Sequence, residues 1–179
     1  MVNRYKNCNF LHQSKQVPMT PSIARKIGSR QALVAVGIGV LIAQIIVASM
    51  ISAGEGFIRS FFWFFDEKIW LNILSGVVIM FFCGHYYGQL AGKLILIKNW
   101  NYALIGCLTN LAILLTTAFL ASWIGFFQEG IANISTDNNP FFDYIFKPVY
   151  WVMIFGSIPA MIVGIWLGKR IKTRGSRLN

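Results

Sequence analysis

Long uncharged apolar runs fill most of this chain, and charged residues fall almost entirely between them. Four runs are long enough to cross a bilayer: residues 32–53, 70–92, 102–127 and 148–167. At about 1.5 Å rise per residue, 20 or so helical residues span about 30 Å. That matches the hydrocarbon core of a membrane. None of the runs alternates polar and apolar residues with period two, so the pattern predicts helices rather than barrel strands. Lys93 closes the second run, but Leu94, Ile95, Leu96 and Ile97 follow. A lysine there can snorkel to the interface, so this helix is expected to be long and tilted. The expected fold is an all-α integral membrane protein with four transmembrane helices. Its transmembrane domain occupies 32–168, between basic tails at 1–31 and 169–179.

Composition agrees. Of 179 residues, 56% are hydrophobic and 12% charged, about half the charged share of soluble domains. A water-soluble globule and a disordered chain are both excluded. The first apolar run is longer than the roughly 7–15 residues of a signal-peptide core and is followed by no clear cleavage site, so it reads as a retained anchor.

The net charge is +10. In a soluble protein this would raise nucleic-acid binding. Here the basic residues flank the apolar runs, and no nucleic-acid partner is expected. Thirteen of the 16 Lys and Arg residues lie in 1–31, at Lys93 and Lys98, or in 169–179, where there is no acid. The other two loops hold Arg59, Lys68, Lys147 and all six acids. By the positive-inside rule both termini are cytoplasmic, and loops 54–69 and 127–147 face the other side. The expected location is a bacterial-type inner membrane. Trp63, Trp70, Trp123 and Trp151 then fall near the outer boundary, and Trp100 and Trp166 near the inner one. The tail 1–30 is polar and basic, with Pro18 and Pro21, and reads as unstructured or apposed to anionic headgroups.

Loop 54–69 clusters aromatics around Trp63 with Phe57, Phe61 and Phe64 at helical spacing, which predicts a short interfacial helix. Loop 127–147 carries a turn at Asn138-Asn139-Pro140 and a second aromatic dip. Asn133-Ile134-Ser135 matches a glycosylation sequon by pattern alone. A weak internal repeat places Gly88, Gly92 and Lys93 on Gly164, Gly168 and Lys169 at a shift of 76, with Gly84 on Ala160. Two like-oriented hairpins would be parallel repeats.

Small residues form two ladders: Gly84, Gly88 and Gly92 in the second run, and Gly156, Ala160, Gly164 and Gly168 in the fourth. Spacing of four places each set on one helix face, where backbones can approach closely. Two uses are open. The ladders can pack the second helix against the fourth, or they can pack against another copy or a different membrane subunit. Pro159 falls within the second ladder.

Polar residues within the runs include Gln44, His85, Gln89 and Asn110. His85, Gln89 and Lys93 lie at i, i+4 and i+8, a stripe expected to face the bundle interior near Asn110. No Asp, Glu or Arg lies at depth, which argues against an ion pump or proton-coupled carrier. No HExxH, GxSxG, GxGxxG or Walker motif is present, and Cys8, Cys83 and Cys107 form no CxxC. No cofactor, metal site or catalytic residue is expected. The reading is a non-enzymatic multi-pass protein, an accessory or scaffold subunit of a larger envelope or transport assembly. Its alternatives are a stand-alone immunity or exclusion protein and a small oligomeric channel or carrier. The expected partners are the lipid bilayer and a membrane protein or second copy held through the ladders.

Overall fold

The computed structural model describes residues 20–51, 61–62, 70–130 and 139–177. Among them there is no strand. Four helices dominate: α1 Pro21–Ile51, α2 Trp70–Leu96, α3 Tyr102–Gly125 and α4 Lys147–Ser176. All four are long and apolar enough to cross a membrane, which marks a multi-pass membrane protein. At about 1.5 Å per residue α1 and α4 are roughly 45 Å long and outreach a 30 Å core. The expected interfacial helix in 54–69, apart from Phe61 and Phe62, and the sequon at Asn133 lie outside the described residues.

The tail to Arg30, read as unstructured or apposed to headgroups, is helical from Pro21, so the unstructured reading does not hold for residues 21–30. Thr20 precedes a proline at the first helical position, whose fixed φ favours helix entry, and the Thr20 carbonyl accepts the Ala24 amide at 3.1 Å. The α2–α3 turn is short. The Ile97 and Lys98 amides both donate to the Lys93 carbonyl, and the Trp100 amide donates to Leu94. Asn99 sits at φ 53°, a left-handed conformation that asparagine adopts more readily than most residues. The Asn101 side chain then accepts the Ala103 amide at 3.0 Å and starts α3.

At the opposite end, α3 runs into a π-helical turn, Phe126–Gly130, and a second one, Phe142–Phe146, leads into α4. Trp123 joins them, with ring centroids 5.9 Å from Phe126, 5.7 Å from Phe127 and 6.0 Å from Phe141. Asn139 begins the return, its carbonyl accepting the Phe142 and Asp143 amides.

Packing is tightest within two antiparallel hairpins, α1–α2 and α3–α4. Each closes on one glycine. A Cβ on Gly28 would lie 2.7 Å from the Gly92 nitrogen and press on the Gly88 carbonyl. A Cβ on Gly106 would lie 2.8 Å from the Gly168 nitrogen and press on the Gly164 carbonyl. The α2 ladder therefore faces α1, where Gly84 meets Val36 and Gly88 meets Ala32. The α4 ladder faces α3, where Gly156 meets Leu114 and Gly168 meets Tyr102. The pairing of the second helix with the fourth is not what is found. Close backbone approach needs small residues on both partners, and the matching small residues, Ala24, Gly28 and Ala32, are on α1. The two crossings correspond residue by residue, at a shift of 78 on the first helices and 76 on the second. The chain is thus two like hairpins. The core shared between them comprises Ala35, Ile95, Ile105, Val163, Leu167 and Ile171.

Candidate functional site

The four polar residues singled out in the sequence go to three places. Asn110 is buried on α3, and its amide donates to the Ala160 carbonyl of α4 at 2.8 Å. That bond ties a buried amide to the helix carrying Pro159. Gln44, on α1, donates through its amide to the Phe61 carbonyl and so holds the chain that follows α1.

His85 and Gln89 stay together but do not join Asn110. They lie at the seam of α1 and α2, with His85 exposed rather than directed into the bundle. His85 Nδ1 is 2.7 Å from the Ser29 hydroxyl, and its Nε2 is 2.8 Å from the Gln89 amide nitrogen. The reason for the outward placement is steric. Gly84 and Gly88 take the face of α2 that touches α1, and residues one position on must turn away from it. Ser29 sits beside Gly28 and reaches the imidazole across the crossing. It was not anticipated, because Lys-Ile-Gly-Ser-Arg at 26–30 reads as tail. The helix start at Thr20-Pro21 and the spacing of Ala24, Gly28 and Ala32 were the available signals.

A second polar tie links the hairpins. The Tyr87 hydroxyl on α2 lies 3.2 Å from the Thr116 hydroxyl on α3. By the repeat, the corresponding positions at the α1–α4 seam are Val163 and Ile38, which offer only apolar contact. A cavity of about 320 Å³, walled by all four helices, lies in the half of the bundle away from the basic end. Its walls include Gly39, Ile42, Met80, Ile113, Phe155 and Pro159, with Asn110 as the polar member. A Cβ on Gly39 would meet nothing within 4 Å.

The starts of α1 and α3 and the ends of α2 and α4 form one basic end. Several cations there stack on aromatic rings, Arg170 over Trp166 at 4.7 Å and Lys172 over Tyr102 at 5.0 Å. Among the described residues no three His, Cys, Asp or Glu side chains gather as a metal site would require. Comparison with protein-family models, curated proteins and solved structures finds no match for this chain.

Proposed function

We propose that this chain is a non-enzymatic accessory or scaffold subunit of a larger envelope or transport assembly. In this reading it lies in a bacterial-type inner membrane with both termini in the cytoplasm, as its 13-to-3 split of basic residues favours. The observation that carries the reading is the polar cluster at the α1–α2 seam, in which exposed His85 and half-buried Gln89 hydrogen-bond each other and His85 reaches buried Ser29. The imidazole has a partner on each nitrogen, but the Gln89 amide keeps hydrogen-bonding capacity beyond its one contact. Leaving that capacity in hydrocarbon is costly, and a neighbouring helix with a complementary polar group would satisfy it. The glycine ladders are occupied by packing within the chain, so the polar cluster is the better candidate for an external contact. The test is co-purification in mild detergent. Wild-type protein should bring down an unlike membrane protein in fixed ratio, and Gln89→Leu should lose it without a lower melting temperature. Recovery of the wild-type chain alone would overturn the proposal. A second reading, a small carrier for a hydrophobic molecule, draws on the apolar cavity, whose volume is at the small end of the range typical of ligand pockets.

A further inference from the structure

We propose that the notch between α1 and α4 at the basic end binds the phosphate headgroup of an anionic phospholipid. The notch has a volume of about 440 Å³ and is lined by Lys26 and Arg30 from α1, by Arg174 from α4 and by Arg177, which caps α4. Four cations converge there from two helices. No acid occurs anywhere in residues 1–54, 68–128 or 144–179, so none is available nearby to neutralise them. They also differ from Arg170 and Lys172, which rest on aromatic rings.

Gln31 supplies an independent observation. It is 3% exposed and lines the notch. Its side-chain amide carries two N–H donors, and a phosphate oxygen in the notch would accept from it. Arginine guanidinium groups offer forked donors suited to the same oxygens.

The seam is also specific to one side of the molecule. By the internal repeat Lys26 and Arg30 correspond to Leu104 and Leu108 on α3, so the related α2–α3 seam lacks these cations. A lipid rather than a soluble phosphate follows from what lies above the notch. Ile23 opens onto it, and the same stripe of α1 continues through Val34, Leu41 and Ile45, all 47–59% exposed. The stripe is cationic at headgroup depth and apolar beyond it, which is how a phospholipid is built. Basic pockets between transmembrane helices on the cytoplasmic side suit anionic headgroups, and the topology proposed above puts this one there.

The test uses the full chain in detergent, with lipid retention read by native mass spectrometry and stabilisation by melting temperature. Phosphatidylglycerol should bind and raise the melting temperature, while phosphatidylcholine and millimolar inorganic phosphate should not. Arg30→Gln with Arg174→Gln should weaken phosphatidylglycerol binding about tenfold or more, since each removes a charge-assisted hydrogen-bonding fork from the phosphate. Arg170→Gln with Lys172→Gln removes the same charge outside the notch and should cost less than about threefold. Gln31→Leu keeps every charge and should still weaken binding, which keeps the proposal testable if the double variant folds poorly. Equal losses in the two double variants, or full binding by Gln31→Leu, would reduce the effect to diffuse surface charge and overturn the site. Stabilisation by inorganic phosphate equal to that by phosphatidylglycerol would overturn the lipid assignment.

Discussion

Single glycines set the distance between helices here, and the cost of filling them depends on what lies opposite. Gly28 and Gly37 are nine residues apart in α1. A Cβ on Gly28 would strike backbone atoms of α2, while one on Gly37 would find nothing within 4 Å. Backbone cannot move aside as a flexible side chain can. Gly28→Ala should therefore lower stability in detergent by about 1–3 kcal/mol, as overpacking does. Gly37→Ala should raise it by about 0.5–1 kcal/mol, because alanine favours the helix. A thermal or denaturant series on the pair would check this; equal effects of the two substitutions would contradict the crossing geometry. The sequence displays the α2 stripe openly, since three glycines at i, i+4 and i+8 stand out in an apolar run. Its counterpart is hidden, because Gly28 lies between Lys26 and Arg30 in what reads as a polar tail. Gly106 is hidden in a different way, as a glycine with no small-residue ladder around it in α3.

At the scale of elements, the spans were legible because hydrocarbon thickness and helix rise fix their length. Which helices pair was not. Both ladders offer small faces, and sequence spacing alone cannot say which face meets which. The decisive residues are the small ones on α1 and α3. The outward turn of His85 follows from the same fact, once α2 commits its glycine face to α1. Asn110 illustrates how polar side chains reinforce a pairing already set by packing. Its bond to the Ala160 carbonyl crosses α3 to α4 beside Gly106 and Gly164. Asn110→Ala should cost about 0.6–2 kcal/mol, the range for interhelical hydrogen bonds in membrane proteins. Asn110→Leu removes the same bond while adding apolar volume toward the cavity, and should cost less. Stability measured for both in the same detergent checks the order; a larger loss for leucine would mean the site is closely filled.

As a whole, the molecule is a pair of like hairpins joined asymmetrically. One seam, α2–α3, carries a short turn and the Tyr87–Thr116 contact. The other, α1–α4, has apolar residues at the matching positions, with a cavity on one side and a cationic notch at its end. Departures from the repeat thus fall where the candidate binding features are. The repeat itself was only partly readable, because α1 and α3 align at a shift two residues different from that of α2 and α4. A single offset therefore misses half of it.

The partner surface, the headgroup notch and the leaflet it faces all depend on the basic end being cytoplasmic. Thiol labelling from outside intact cells tests this most directly. In a chain whose Cys8, Cys83 and Cys107 are replaced by serine or alanine, a membrane-impermeant maleimide should label Asp137→Cys without permeabilisation and Ser176→Cys only after it. Labelling of Ser176→Cys in intact cells, or of Asp137→Cys only after permeabilisation, would contradict the account.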